Sequence, residues 1–236
     1  MFVFVSDYFV EDYVGGGELT TSAIIQGSDI PVKTIRSSNV TKEIIERLND
    51  HHWIFGNFSQ LSLEMIIYCC KNLQYSVIEY DYKYCKYRLP EKHITAEGFC
   101  NCEKETIGKA IAVFYSRAKD VWFMSAAQRQ IYFDKIPTLK KQNTYVLSSV
   151  FTKETIDYIT NLDCGDKNDT WLIQKSESWV KGTAAAIRYA QDNNLKYELF
   201  SGLEYGEMLK KFSNYKGFIF LPNGSDTCPR TVIEAK

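Results

Sequence analysis

The sequence predicts an α/β protein built from parallel sheets. Short runs rich in β-branched and aromatic residues alternate along the chain with longer segments whose apolar residues recur at helical spacing. A predicted strand returns about every 20 to 40 residues, which suits repeated βαβ units because parallel strands need a crossover connection between them. Hydrophobic residues make up 45% of the 236 positions, so the chain can form one large or two modest domains with real cores.

The first predicted domain covers residues 1–147 and alternates strands with helices. Strands are expected at 2–5, 32–35, 53–55, 76–80, 121–124 and 145–147, where the runs are apolar, β-branched or aromatic. Helices are expected at 18–26, 42–48, 63–73, 105–119 and 126–135, where apolar residues follow the helical period. This alternation implies a parallel sheet covered by helices.

The second predicted domain covers residues 148–236. Its strands are expected at 170–174, 196–200 and 218–221, and its helices at 153–159, 180–190 and 205–212. Residues 222–224 then form a turn, and Thr227 is expected to be the N-cap of a final helix that has Pro229 in its first turn. Strand, turn and helix together place backbone N–H groups at the carboxyl edge of a sheet, where open α/β sheets bind ligands.

Charge, hydropathy and cysteine content narrow the class of protein. The formal net charge is −1 and the sequence pI about 6.3, so no excess of positive charge predicts a nucleic-acid partner. No apolar run approaches transmembrane length, and the N-terminal residues 1–7 are predicted to be a strand, not a signal peptide. The seven cysteines, an odd number, are most simply reduced thiols, which predicts a cytoplasmic location.

Two carboxylates flank the last predicted turn. Asp226 precedes the final helix and Glu234 lies inside it, with seven residues between them. This spacing puts one acid at the mouth of the helix and the other about two turns along it, so the two can accept hydrogen bonds from different hydroxyls of one polyol ligand. The plain alternative is ordinary helix electrostatics with a solvated face.

Two further features lie where a phosphate or sugar can approach backbone. Lys175 and Lys181 bracket a loop that follows a predicted strand, and Gly182 stands next to the second lysine. Three consecutive glycines, at 15–17, precede the first predicted helix and leave its backbone without side-chain obstruction. The alternatives are solvated lysines and a flexible loop, and the standard dinucleotide and nucleoside-triphosphate fingerprints are absent.

In their order along the chain, these motifs resemble the retaining GT-B glycosyltransferases, the family of sucrose synthases and bacterial mannosyltransferases. Lys181-Gly182 matches the family's Lys-Gly, Lys175 replaces its Arg, and Glu234-Ala235 matches the second half of its acidic motif. Asp226 replaces the usual first Glu of that motif. The resemblance implies two Rossmann-like domains that face each other across a cleft, with the second domain incomplete because the family continues beyond the matching helix.

The resemblance also implies roles for individual residues. Lys175 and Lys181 would neutralise the departing nucleotide diphosphate, and Glu234 would bind the ribose. Asp226, with the backbone of the following residues, would orient the donor sugar. In the family a His often follows a middle strand, and none matches that position near Glu79 here. The expected catalytic residues are Lys175, Lys181 and Asp226, and the expected donor-binding residues are Gly16, Gly17, Thr227, Cys228, Pro229 and Glu234.

The implied function is transfer of a sugar, with retention, from a UDP-, GDP- or ADP-sugar donor to a glycan, lipid or protein acceptor, without a required cofactor or catalytic metal. A non-catalytic nucleotide- or sugar-binding module is the alternative, since the matching domain is short. A different α/β enzyme, such as an epimerase or a phosphorylase-like protein, is a third interpretation, which the missing NAD fingerprint disfavours in its epimerase form.

A cysteine and histidine cluster lies in a stretch without clear periodicity. Cys85, His93, Cys100 and Cys102 are a set of ligand types that completes a tetrahedral zinc site, and a Cys-x-Cys pair can chelate. Their spacing matches no common zinc finger or ribbon. Two interpretations therefore stay open: a structural zinc that pins a long loop, or ordinary thiols beside a surface histidine.

Overall fold

The computed structural model describes residues 1–162 and 165–236. It divides into two compact units, Met1–Phe151 and Thr152–Lys236, whereas the sequence places the change of domain at residue 148. Within the described residues, each unit is built around one parallel sheet. No helix in these ranges has both the length and the apolar content that a membrane crossing requires.

The N-terminal unit is a mixed α/β, Rossmann-like fold. Its strands are β1 (Phe2–Ser6), β2 (Val32–Arg36), β3 (His52–Phe55), β4 (Gln74–Glu79), β5 (Val121–Phe123) and β6 (Thr144–Val146). They form one parallel sheet in the order β2-β1-β3-β4-β5-β6. The chain passes from β1 to the edge strand β2 and returns to β3 on the other side of β1, so the direction of winding reverses between β1 and β3.

Six helices in the described part of this unit cover the sheet and join its strands. They are α1 (Gly16–Gln26), α2 (Lys42–Arg47), α3 (Leu63–Asn72), α4 (Pro90–Glu97), α5 (Thr106–Arg117) and α6 (Ala126–Lys135). The hydroxyls of Thr41, Ser62 and Ser125 cap α2, α3 and α6 by accepting hydrogen bonds from backbone amides of the first turn. Only α4 was not predicted, because residues 83–102 lack a helical period.

Aromatic side chains fill the centre of the N-terminal core. Phe55 on β3 packs edge-on against Tyr75 and Phe114, with ring centroids 5.6 and 5.2 Å apart. The Tyr75 hydroxyl donates to the carbonyl of Phe114 at 2.7 Å, so its polar end is satisfied inside the core. All three side chains are buried, and each contributes roughly 2–3 kcal/mol of hydrophobic free energy to folding.

The C-terminal unit has a smaller sheet of the same kind. Its elements are α7 (Lys153–Thr160), β7 (Asn168–Gln174), α8 (Thr183–Asp192), β8 (Tyr197–Phe200), α9 (Tyr205–Asn214), β9 (Tyr215–Phe218) and α10 (Arg230–Glu234). The strands pair in parallel in the order β8-β7-β9. Leu172 of β7 packs on one face with Phe200 and Phe212, while Ile173 packs on the other face with Ala186 and Ile219.

The structure corrects two local predictions near the end of the chain. The last strand is Tyr215–Phe218, not 218–221, because β9 begins to pair with β7 at Tyr215, and after Phe218 the ladder continues only through the amide of Ile219. The apolar run 218–221 that suggested the later position extends beyond the paired residues, and within it only Ile219 is buried. The final helix has Pro229, not Thr227, as its N-cap, so Pro229 lies outside the first turn.

Candidate functional site

The carboxyl ends of β7 and β9 define one edge of the C-terminal sheet. Because the two strands are parallel neighbours, the loop after each of them emerges at this edge. The loops are hydrogen bonded to each other: the Asn223 amide donates to the carbonyl of Val180 at 3.1 Å, and its side chain donates to that of Trp179 at 2.7 Å. The two predicted ligand loops of this unit therefore form a single surface.

Lys181 and Asp226 meet on this surface. The Lys181 Nζ lies 2.8 Å from the Asp226 Oδ2, although the residues come from different loops. The ammonium also lies 5.7 Å from the centre of the Phe220 ring, within cation–π range. Both side chains are largely shielded, with 26% and 13% of their surface exposed. The charge predicted to meet a diphosphate is thus paired with the acid predicted to meet the sugar.

Gly182 lets the loops come together. It has φ of 62°, and a Cβ placed on it would lie 1.8 Å from the carbonyl oxygen of Leu221. The next residue, Thr183, fixes the loop from the other side, because its hydroxyl donates to the carbonyl of Gln174 at 2.8 Å and accepts from the amide of Ser176 at 3.1 Å. Glycine at 182 is therefore required by both backbone conformation and space.

The substitution Gly182→Ala is expected to lower the free energy of unfolding of the C-terminal unit by about 2 kcal/mol or more. Alanine is strained at the left-handed φ of this position, and its Cβ would clash with the backbone carbonyl of Leu221. Hydrogen exchange of peptides from β7 and β9, measured by mass spectrometry, reports this change locally. Gly165→Ala is the matched control, since a Cβ there meets nothing within 4 Å. Equal effects of the two substitutions would contradict this account.

Glu234 is the last residue of α10, and its side chain is buried. Its side chain is 1% exposed, and its Oε1 accepts hydrogen bonds from Arg230 Nε at 2.7 Å and from the Tyr205 hydroxyl at 2.6 Å. Burial, followed by the hydrogen bond to Glu234, raises the pKa of Tyr205 to about 12. Glu234 is thus held by two partners, and its predicted contact with a ribose would be made beside them.

The other predicted residues of this unit lie around the same edge. Lys175 follows β7 directly, is exposed, and its backbone amide donates to the carbonyl of Phe200 at 2.8 Å. Thr227, Cys228 and Pro229 are half-buried between Asp226 and the last helix. The predicted positions of this unit thus all lie in the segments that follow β7 and β9.

In the N-terminal unit, the glycine segment differs from the loop that was predicted. Gly16 and Gly17 form the first turn of α1, with Gly15 as the N-cap, because the helix starts two residues earlier than expected. A Cβ on Gly17 would lie 3.5 Å from the Asn57 side chain and 3.7 Å from the Tyr80 ring. This turn consequently faces side chains that follow the carboxyl ends of β3 and β4.

A group of polar side chains at these strand ends is not among the residues that the sequence motifs predict. The Arg88 guanidinium contacts the carboxylate of Asp81 and donates to Asn57 Oδ1 at 2.9 Å, and it lies 3.7 Å from Asp7 Oδ2. Glu18 is buried on the first turn of α1 and hydrogen bonds to Asn57. The available signal was position: Asp7, Asn57 and Asp81 come within two residues after β1, β3 and β4, respectively.

The acids of this group differ in electrostatics. Burial raises the pKa of Glu18, and its hydrogen bonds only partly offset that effect. Burial also opposes ionisation of Asp7, but hydrogen bonds from Ser37, Ser59 and the Gln60 amide together outweigh it and hold the pKa of Asp7 below its usual value. Two acids of one neighbourhood are therefore shifted in opposite directions, a feature that is enriched at functional sites.

A buried charge network lies behind this group, at the end of β4. The Glu79 carboxylate is fully buried and accepts hydrogen bonds from Lys83 Nζ at 2.9 Å, the Asp81 amide at 2.7 Å and the Tyr132 hydroxyl at 2.6 Å, as well as from the Tyr115 hydroxyl. Burial raises the pKa of Glu79, and the nearby ammonium of Lys83 opposes that rise. The network anchors the chain just before it reaches the cysteine cluster.

The cysteine and histidine side chains converge in the connection between β4 and α5. One ligand atom from each of Cys85, His93, Cys100 and Cys102 lies within 4.8 Å of all the others. His93 is 1% exposed, so the alternative of a surface histidine is wrong. Cys85 and Cys102 are each 2% exposed, and the described cysteines are free thiols.

Comparison with known proteins adds no family to these observations. No protein-family model matches the sequence, and no curated protein matches it either. The fold and the described sites define the molecule as an α/β protein with Rossmann-like parallel sheets, whose candidate site residues lie near strand ends. The resemblance to GT-B glycosyltransferases accordingly rests on the residues quoted for it and stays a prediction.

Proposed function

We propose that this protein binds a nucleotide-sugar donor and transfers its sugar to a glycan, lipid or protein acceptor, as a retaining GT-B-type glycosyltransferase. The observation that carries the proposal is the pairing of Lys181 with Asp226, 2.8 Å apart, between the loops that follow two parallel strands. An ammonium and a carboxylate held together at such an edge suit a ligand that is both a phosphate ester and a polyol.

The proposed mechanism assigns separate tasks to the two sides of this pair. The diphosphate of the donor displaces Asp226 from Lys181, and the first amides of α8, which begins at Thr183, face the same region. Lys181 and Lys175 then stabilise the negative charge that develops on the leaving diphosphate as the glycosidic bond breaks. Asp226, once released, accepts hydrogen bonds from sugar hydroxyls.

The remaining donor contacts are proposed for the last helix, the residues before it and the glycine turn. Glu234, whose Oε1 is held by Arg230 and Tyr205, binds the ribose after a local movement exposes its carboxylate. The backbone of Thr227, Cys228 and Pro229 orients the sugar. Gly16 and Gly17 offer backbone without side chains, and the proposed reaction takes place in the cytoplasm without a catalytic metal.

A non-catalytic binding module is the second candidate, and one observation favours it. Glu234 is 1% exposed and already hydrogen bonded to Arg230 and Tyr205, an arrangement in which the carboxylate stabilises the unit itself. If that is its main task, nucleotide or sugar affinity can remain at the Lys181 edge without turnover. Both candidate functions include binding of a nucleotide or sugar, but only the glycosyltransferase transfers the sugar.

The binding step is tested by thermal unfolding with UDP, GDP, ADP and their sugars. One nucleotide at about 100 times its Kd is expected to raise the Tm by about 5 °C or more, because it binds only the folded state. Lys181→Ala is expected to abolish this shift. Lys216→Ala is the matched control, since its ammonium pairs with Asp169 at the exposed surface. If no nucleotide stabilises the chain, or if both variants respond alike, the proposed donor site is wrong.

Turnover separates the two candidates. The donor identified by the binding panel is incubated with the protein, first alone and then with sugar, lipid and peptide acceptors, and the release of nucleoside diphosphate is measured. Release that requires the protein supports the glycosyltransferase. Saturable binding without release from any mixture supports the binding module.

A further inference from the structure

The four ligand atoms of the cysteine and histidine cluster are spaced like the corners of a metal site. Cys100 Sγ lies 3.8 Å from Cys85 Sγ, and His93 Nδ1 lies 3.6 Å from Cys85 Sγ and 3.4 Å from Cys102 Sγ. A tetrahedral zinc ion with its usual bond lengths requires about 3.8 Å between two sulfurs and about 3.6 Å between a sulfur and a nitrogen. These three spacings agree with the ideal values to within about 0.2 Å.

The groups around the cluster are those that orient metal ligands. His93 Nε2 lies 3.0 Å from a carboxylate oxygen of Glu97, which leaves Nδ1 to face the sulfurs. Glu97 is itself held by Lys86 at 2.8 Å and by the Tyr87 hydroxyl at 3.0 Å. A carboxylate on the far nitrogen fixes the tautomer of a histidine ligand and increases its basicity.

The sulfurs also have backbone donors. The amide of Tyr87 donates to Cys85 and that of Lys86 donates to Cys102, so both thiols accept hydrogen bonds as thiolate ligands do. Lys135 lies close by and donates to the carbonyl of Cys100 at 3.3 Å, which places a positive charge beside a site of three thiolates. A disulfide does not explain the spacing, because a bonded sulfur pair is about 2.05 Å apart.

We propose that Cys85, His93, Cys100 and Cys102 bind one structural zinc ion. Three thiolates and an imidazole favour zinc over magnesium or calcium, which prefer oxygen ligands. Four protein ligands leave no open position for water or substrate, so the site is structural and not catalytic. It is independent of the proposed transferase function, because its ligands lie on the connection between β4 and α5 of the N-terminal unit.

The zinc site would stabilise the connection between β4 and α5. Arg88, which lies between the first two ligands, has φ of 55° and reaches Asp81 and Asn57 at the strand ends. On the far side, Cys102 packs so tightly on α5 that a Cβ on Gly108 would lie 1.9 Å from its carbonyl oxygen. The ion would thus stabilise both ends of the connection between β4 and α5. It would also keep Arg88 in contact with Asp81 and Asn57.

The test measures metal in the full chain, purified under reducing conditions and reconstituted with zinc. About one zinc per chain is expected by elemental mass spectrometry after removal of loosely bound metal. Cys102→Ser is expected to lose most of it, while Cys70→Ser, which changes a half-buried thiol outside the cluster, keeps it. Less than one-tenth of an equivalent in the wild-type chain overturns the proposal, as does equal zinc content in both variants.

A second measurement covers variants that fail to fold. Cobalt added to the metal-free wild-type chain is expected to give the intense visible bands of a tetrahedral site together with thiolate-to-cobalt charge transfer, and zinc is expected to displace it. His93→Cys should keep metal binding with four sulfur ligands, because that set is also tetrahedral. A weak, octahedral cobalt spectrum contradicts the proposal even if zinc copurifies with the protein.

Discussion

Replacing the buried Lys83 by methionine is expected to destabilise the N-terminal unit by about 3–5 kcal/mol, because it leaves a buried charge without its partner. Lys83 and Glu79 have side-chain exposures of 3% and 0%, and their charged atoms lie 2.9 Å apart. Methionine fills the space beside the Phe58 ring, over which the ammonium lies at 5.3 Å, but leaves the Glu79 carboxylate without its counter-charge. Guanidinium unfolding followed by hydrogen exchange of β4 peptides measures the loss within this unit.

The same variant has a defined pH dependence. Without Lys83, the folded-state pKa of Glu79 rises further above its unfolded value near 4.5, because burial then loses the opposing charge of the ammonium. Stability that depends on a raised carboxyl pKa is present below the unfolded pKa and is lost as the pH rises toward the folded one. The deficit of the variant is therefore expected to be larger at about pH 7.5 than at about pH 5.

Lys42→Met provides the control for that experiment. Lys42 also pairs with a glutamate, Glu64, but the two side chains are 46% and 72% exposed, so water replaces the lost partner. Lys42→Met is therefore expected to change the free energy of unfolding only slightly at every pH. A similar loss for both lysine variants, or a Lys83 deficit that does not change with pH, would show that burial of the Glu79 charge is not the cause.

Lys181→Ala is expected to lower kcat/KM for the proposed sugar transfer by about 100- to 1000-fold, since it removes a charge aimed at the leaving diphosphate. The basis is the position of Lys181 in the loop after β7, where it contacts Asp226 of the loop after β9 and directly precedes the left-handed Gly182. Initial rates of nucleotide release, measured at several donor concentrations, separate a change in kcat from one in KM.

Two further variants sharpen that measurement. Lys181→Arg keeps the positive charge and is expected to recover part of the rate, because arginine also binds diphosphate oxygens. Lys216→Ala keeps the wild-type rate, since its partner Asp169 lies at the exposed surface. A rate that is equally low in the alanine and arginine variants points to a structural role of Lys181, through Asp226, in place of leaving-group stabilisation.

Much of the local structure follows from the sequence because local structure depends on neighbours along the chain. Strand and helix positions in the N-terminal unit follow from apolar periods, and three of its helices begin at hydroxyl caps that the sequence displays. Lys181-Gly182 was likewise visible, since a Lys-Gly pair after a strand suggests both charge and a tight turn. The last strand was misplaced because the apolar run 218–221 continues beyond Phe218, where the pairing of β9 with β7 ends.

What the tertiary structure decides is which distant residues meet. The cysteine ligands fall in a segment without helical or strand period, so only folding shows that four ligand atoms converge within 4.8 Å. The polar group around Arg88 depends on sheet order. Its members follow predicted strands, but only the pairing of β1, β3 and β4 as neighbours brings these residues to one place. The sequence determined the class of fold and the candidate ligand loops through short-range periodicity and turn chemistry. The tertiary structure alone decided which charges are buried and paired, because burial depends on what the rest of the chain packs against each residue.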